Sequence, residues 1–371
     1  MNDPEHLNLY IDFLKYSLDP EAPIPSNIND IPWNDLYIFS IKQSIAGIIL
    51  QGINKLSKTP YRLDKKIMLK WYYYVKDMEE ENEKVNRDNA KLTSYLYERA
   101  GIRSCTLKGQ ANARMYPNPQ WRAPGDVDIW TDKDTIDIIK YVKSVMPEAN
   151  IEYHHIEVPL TATSAEIHFV PSFMGNLFYE WRLRKYFKQH KEEQFKNKVE
   201  LPNSAGWIWV LDRKFDLIFQ MTHIMHHFFF EGIGLRHFVD YYYLLMTGFS
   251  DEEKEETRKT LKWLNMYKFS CGVMWVMENV LGLDQKYLIT PTNEKIGKMM
   301  LNEIIYAGNF GKHDERYSFK GKTKMQQFLL ETYRNLHFAV EFPSETIIGR
   351  PVSRFWHFFY KKYLIRKTKK A

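Results

Sequence analysis

Two aspartates stand one residue apart in the run Gly125-Asp126-Val127-Asp128-Ile129-Trp130, which otherwise reads apolar. On a strand, side chains alternate faces, so Asp126 and Asp128 point the same way. Two carboxylates on one face repel each other and lose hydration unless something neutralises them. A divalent cation does this with hard oxygen ligands, and Mg²⁺ brings phosphate groups with it. The pair therefore demands a strand, a neighbour and a counter-charge.

The neighbours along the chain answer the demand. Ser104 to Leu107 reads as a short strand, and Lys108-Gly109-Gln110 opens a short helix through Tyr116. Glycine lets the backbone approach a phosphate closely, and the helix after it offers free N–H groups to an anion. Pro117-Asn118-Pro119 forces a loop ending at Gly125. Ala165-Glu166-Ile167-His168-Phe169 alternates, placing Glu166 and His168 on one face. Glu166 is thus the best third acid, able to complete a second metal position and to activate an attacking hydroxyl. Asp132 and Asp134 read instead as an exit turn and a helix N-cap. Arg122 lies four residues before the acidic strand, suited either to phosphate charge or to an ion pair with a nearby acid.

The rest of the chain is mainly helical. Residues 5–19, Asn34 to Leu56 and Arg62 to Ala100 have helical spacing, and Gly101 is a helix stop. Asp134 to Val145 follows the acidic strand as a helix. Ile151 to Pro159 and Ala165 to Val170 form a β pair, turning at Thr161 to Ser164. Later helices are expected at Asp212 to Phe230, Leu235 to Met246, Glu252 to Tyr267, Ser270 to Leu281 and Lys322 to His337, with an isolated strand at Trp207 to Leu211. The expected division is a helical segment over 1–100, an α/β catalytic core over 101–171, a helical domain over 172–360 and a basic tail over 361–371.

With 371 residues, 44% hydrophobic and 15% aromatic, the chain has ample material for a buried core. No apolar run of about eighteen residues signals a membrane span. The first residues carry no signal-peptide pattern. Cys105 and Cys271 cannot make a disulfide framework and fit a reducing cytoplasm. Net charge is +6, and the six lysines and arginines of 361–371 account for it, leaving a neutral body. Such a tail can touch nucleic acid or anionic lipid, but a solvated end is the simpler reading.

The ordered set Lys108-Gly109, Arg122, Asp126-x-Asp128, Glu166-x-His168 resembles the nucleotidyltransferase superfamily with the polymerase-β-like fold. It is closer still to an uncharacterised bacterial nucleotidyltransferase family abundant in Bacteroidetes. His223-x-x-x-His227, Gly234-Leu235-Arg236, Asp240 and Gly308-Asn309-Phe310-Gly311 are similar to the same family, so the resemblance runs from about residue 30 to 360. It implies an α/β (α+β) fold, a small nucleotidyltransferase sheet flanked by N- and C-terminal helical segments. It implies Mg²⁺- or Mn²⁺-dependent transfer of a nucleoside monophosphate from an NTP to a hydroxyl, with pyrophosphate release. Asp126, Asp128 and Glu166 would hold the metals and catalyse. Lys108, Gly109, Gln110 and Arg122 would bind nucleotide, although the superfamily usually has serine or a second glycine where this chain has Gln110. His168, His223, His227, Arg236 and Asp240 are candidates for the acceptor pocket.

His223 and His227 sit four apart on one helix, a spacing that suits zinc. Without the glutamate of a metalloprotease helix, a polar stripe facing the cleft and packed core histidines are both stronger expectations than zinc. Arg236 and Asp240, also four apart, suit an ion pair. The acceptor, a small molecule or protein, is not readable; nucleic acid is the less favoured partner because the body is neutral. The rival readings are a catalytically inactive nucleotide or effector binder on the same fold and an RNA-directed, toxin-like transferase.

Overall fold

Among the described residues, seven strands build one mixed sheet, and its register sets the positions of the acidic side chains. The computed structural model describes residues 4–311, 316 and 321–369. The strands are β1 (Ser104–Thr106), β2 (Val127–Thr131), β3 (Asn150–Ile151), β4 (His155–Pro159), β5 (Ser164–His168), β6 (Asn197–Glu200) and β7 (Trp207–Val210). Their order is β3-β4-β5-β2-β1-β7-β6. β2 runs parallel to β5, and β1 parallel to β7; the other pairs are antiparallel.

Two strand expectations change. Ile151 to Pro159 is not one strand but two, folded back where the Glu152 N–H donates to the His155 carbonyl at 2.8 Å. Trp207 to Leu211 is not isolated, because β7 pairs with both β1 and β6. β6 escaped notice for a physical reason. Its Asn-Lys-Val-Glu sequence is the charged, polar pattern of an edge strand rather than an apolar alternation.

Along β2 and β5, Asp128 lies opposite Glu166 and Trp130 opposite His168; across β4, His155 lies opposite His168. Val127, Ile129, Ile156, Val158, Ala165 and Ile167 point to the other face and share a buried core with Ile138, Ile139 and Val142. Each such aliphatic side chain contributes about 1.5–3 kcal/mol on burial, so the register cannot slip without exposing one whole face.

Four helices precede the sheet: α1 (Pro4–Leu18), α2 (Trp33–Lys42), α3 (Ala46–Leu56) and α4 (Lys65–Ala100). The continuous helix expected over Asn34 to Leu56 is broken. Ser44 takes φ 55°, a left-handed conformation that no local glycine announces. Tertiary contacts hold it. The buried Gln43 side chain donates to the Ile304 carbonyl and accepts from the Leu235 N–H, both at 2.9 Å. α4 starts on an Asp64 cap and stops at Gly101, which adopts φ 60° as expected of a helix-ending glycine.

α4 is polar outward but buries Trp71, Val75, Met78, Asn82, Val85 and Asn89 at three- and four-residue spacing. Its buried polar positions hold loops. Asn82 Nδ2 donates to the carbonyls of Gln120 and Arg122, both at 2.9 Å. Asn89 pairs with the Thr106 hydroxyl at 3.2 Å, and Asp88 accepts from the Ala162 N–H at 2.6 Å. The long helix is thus a brace for the segments on either side of β2.

Among the described residues, ten further α-helices follow. They are α5 (Gln110–Ala113), α6 (Thr135–Val145), α7 (Leu177–His190), α8 (Arg213–Phe230), α9 (Leu235–Met246), α10 (Asp251–Trp263) and α11 (Tyr267–Asn279). α12 (Glu294–Ala307), α13 (Lys324–Asn335) and α14 (Arg350–Lys369) complete the chain. α7, α12 and α14 were not expected from periodicity. The basic tail is helical up to Lys369 as part of α14, and Lys361 Nζ reaches Glu152 at 2.7 Å. Lys370, like the first three residues, lies outside the described residues. No described helix is long and apolar enough to cross a membrane.

Asp216 on α8 is a buried acid with a clear linkage to pH. Its carboxylate accepts from Gln220 Nε2 at 3.0 Å, and burial pushes its pKa from 3.8 up to about 7. Between those values the folded chain keeps a proton that the unfolded chain has released. Stability therefore falls as pH rises through that window and is constant above it. Asp216→Asn removes the titration. Urea unfolding of the two proteins should show the variant gaining on wild type by roughly 2–4 kcal/mol between pH 4 and pH 7.5. A difference that does not vary with pH would refute the assignment.

Candidate active site

β1 runs into Lys108 and then into a turn that only glycine enters without strain. Gly109 has φ 62° and ψ −115°, and a Cβ there would stand 3.5 Å from the Asp126 carbonyl. The turn is thus tied to the start of the acidic strand. Gln110 does not face the acids. It is buried beneath α4 and donates to the Asn86 side-chain oxygen. Lys108 turns toward the acids instead, with Nζ 3.2 Å from Asp128 Oδ2.

Asp126, Asp128 and Glu166 each offer an oxygen within 4.8 Å of the others. Asp128 is the deepest, at 1% exposure. His168 Nε2 stands between carboxylates, 3.1 Å from Asp128 Oδ1 and 3.2 Å from Glu166 Oε2. His155 Nδ1 approaches Glu166 at 3.4 Å and His154 Nε2 at 3.3 Å. The counter-charge demanded by the acidic strand is therefore present within the protein.

The electrostatics follow from these distances. Burial would lower the Lys108 pKa, but Asp128, Asp126 and Glu166 outweigh it and hold the ammonium charged. Burial likewise opposes the His168 imidazolium, yet its bonds to Asp128 and Glu166 raise its pKa to about 9. Glu166 would be raised by burial, but His168, His155 and Lys108 bring it down to about 2. Burial and then the neighbouring His168 charge lower His155 to about 4. At neutral pH the cluster holds a protonated His168 beside a neutral His155 and an ionised Glu166.

These groups line a cavity of about 110 Å³, whose opposite wall is α8 with His223, His226 and His227. His223 and His227 approach Nε2 to Nε2 at 3.1 Å. Glu231, just past α8, lies 2.9 Å from His227 Nδ1 and 3.5 Å from His226 Nε2. His237 on α9 lies against both α8 rings. Burial is the leading cause lowering the pKa of His223, His227 and His237 alike, so all three imidazoles are neutral.

The structure brings Lys108, Asp126, Asp128, Glu166, His168, His223 and His227 to one cavity. Arg122, Arg236 and Asp240 are not among the residues lining it. Arg122 forms a two-pronged pair with Asp240, Nε to Oδ1 and Nη2 to Oδ2, both at 2.8 Å, and the Tyr116 hydroxyl donates to Asp240 at 2.7 Å. Arg236 Nη1 faces the carbonyls of Ala123 and Pro124 at 3.4 and 3.3 Å. This group binds the segment leading into β2 to α9. Sequence reasoning missed His154, His155, Glu231 and His237. His154-His155 carried a usable signal, since it opens the strand that pairs with Glu166-x-His168. Glu231 lies four residues after His227, a helical spacing that carried a usable signal, whereas His237 joins them only through the packing of α8 on α9.

Three carboxylate oxygens converging on one point form a hard donor set that suits Mg²⁺ or Mn²⁺. Asp126, Asp128 and Glu166 could hold such an ion, with Lys108 and His168 supplying positive charge beside it.

A mixed sheet with a glycine turn at one strand end and three carboxylates above it has the architecture of the nucleotidyltransferase class. The chain belongs to a family described as uncharacterised nucleotidyltransferases, whose sequence pattern matches residues 29–282. It is also similar to the solved structure of an antigenic nucleotidyltransferase-like protein from Paracoccidioides brasiliensis. That similarity has 10% identity and a TM-score of 0.31, and covers 56% of this chain and 96% of that one. No curated protein matches the chain.

Proposed function

We propose that the protein is a divalent-metal-dependent nucleotidyltransferase that moves a nucleoside monophosphate from an NTP to a hydroxyl. The observation that carries this reading is the convergence of Asp126, Asp128 and Glu166 within 4.8 Å above the Gly109 turn. Held by those carboxylates, the metal would neutralise the triphosphate and polarise its α-phosphate.

The chain's own groups supply the rest. Glu166, kept anionic by His168, would accept the proton of the acceptor hydroxyl. That oxygen bonds to the α-phosphorus as the bond to the bridging oxygen of the β-phosphate breaks. Pyrophosphate leaves with the electron pair. Lys108, charged at the cavity floor, stabilises the phosphate charge. His168 orients both Asp128 and Glu166.

One observation favours a second reading. A cavity of about 110 Å³ is below the roughly 300–1,000 Å³ of small-molecule pockets, so a nucleoside is not enclosed in it. A protein that binds the phosphate end of an effector without turnover fits the same site. The test is a screen of four labelled NTPs with Mg²⁺ against cell extract, followed by mass spectrometry of the modified product and of the protein itself. Transfer to a defined acceptor supports the transferase. Binding without any transfer supports the effector reading. Free Cys105 and Cys271 fit work in a reducing cytoplasm.

A further inference from the structure

The transfer chemistry uses the carboxylate wall of the cavity and leaves the imidazole wall unexplained. His223 and His227 stand one turn apart on α8, with ring centroids 4.3 Å apart and planes at 88°. Their Nε2 atoms are 3.1 Å apart. His237, in the first turn of α9, adds a third ring 4.6 Å from His227 and 5.4 Å from His223. One nitrogen from each ring lies within 4.8 Å of the other two.

The spacing is that of a ligand set. Zinc bonds imidazole nitrogen at about 2.0–2.1 Å in tetrahedral sites, which separates neighbouring nitrogens by about 3.3 Å. The His223–His227 separation already meets this, and a His237 nitrogen lies within 4.8 Å of both.

A second, independent feature supports the assignment. Glu231 Oε2 lies 2.9 Å from His227 Nδ1. A carboxylate that close to one ring nitrogen favours a proton there and a lone pair on the other. This pairing commonly accompanies metal-ligating histidines. Here it aims the His227 Nε2 lone pair at the point where the three rings meet.

We propose that His223, His227 and His237 form a transition-metal site of the zinc class, separate from the oxygen site at Asp126, Asp128 and Glu166. Imidazole donors select zinc and its neighbours over Mg²⁺, so excess Mg²⁺ does not fill the imidazole site. His223 and His227 line the cavity while His237 is buried behind them, so the remaining coordination position faces the cavity. It takes water or an anionic oxygen of a phosphate- or carboxylate-bearing ligand. The proposal does not depend on the transferase reading.

The experiment uses the full chain, stripped with chelator, then titrated with Zn²⁺ against a chromogenic competitor in excess Mg²⁺. Co²⁺ is loaded in parallel for its visible spectrum. The expected result is one Zn²⁺ per chain and tetrahedral Co²⁺ absorption. His223→Gln and His237→Gln should each weaken Zn²⁺ by roughly 100-fold or more, and Glu231→Gln by roughly 10–100-fold. Asp126→Asn with Asp128→Asn should leave Zn²⁺ binding intact. Circular dichroism checks the fold of each variant. If His237→Gln does not fold, the half-buried His223 and the exposed Glu231 decide the matter. A folded wild type that takes up no Zn²⁺ overturns the proposal. So does Zn²⁺ binding that survives His223→Gln but is lost with the two aspartates.

Discussion

Asp126→Asn combined with Asp128→Asn should lower nucleotidyl transfer by about a thousandfold or more, measured with labelled NTP and Mg²⁺. The substitutions keep side-chain shape and remove two of the three charges that converge on the site. They also leave Lys108 and His168 with a weakened counter-charge, because both lean on Asp128. Some destabilisation is therefore expected alongside the lost activity, and the two are separated by measuring transfer well below the unfolding temperature. Asp132→Asn is the control. Asp132 pairs with Arg103 at 2.9 Å, away from the cavity, so its loss should leave transfer near wild type. Equal losses in both variants would remove the carboxylate cluster from the mechanism.

The second large effect concerns Arg122 and Asp240. Both are nearly inaccessible, at 4% exposure each, and they meet through two hydrogen bonds of 2.8 Å. Removing one partner strands a buried charge, which costs roughly 3–5 kcal/mol. Asp240→Leu should therefore shift the urea midpoint sharply downward, and Arg122→Met similarly. The double variant should recover most of the loss, because the penalty belongs to the unpaired charge rather than to the missing attraction. If the double variant is as unstable as the sum of the singles, the pair contributes by other means. A transfer defect beyond the stability loss would follow from movement of the segment before β2, since Arg122 ties it to α9.

What the sequence made legible was local. Strand alternation alone put Asp126 with Asp128, and Glu166 with His168, on shared faces, and the register then set Asp128 opposite Glu166. Gly101 and Gly109 marked their turns because both need positive φ. What was hidden depends on distant partners. The break at Ser44 is enforced by Gln43 reaching α9 and α12, so no local residue signals it. Arg122 suited phosphate or an ion pair with a nearby acid equally; the structure makes it an ion pair, but nothing near it in sequence revealed Asp240, 118 residues on, as its partner. Gln110 stood where the resemblance implies serine or a second glycine, and its engagement with Asn86 required knowing that α4 packs over it. The imidazole wall has the same origin. Its i, i+4 pair was visible and Glu231 follows His227 at the same spacing, but its third ring arrives only when α8 packs on α9.

The most direct test of the central claim is calorimetry of nucleotide binding to the full chain, with and without Mg²⁺, in wild type and Asp128→Ala. If the three carboxylates seat the ion that carries the triphosphate, nucleotide should bind wild type only with Mg²⁺, and Asp128→Ala should abolish that binding. Nucleotide binding that is indifferent both to Mg²⁺ and to Asp128→Ala would contradict the account.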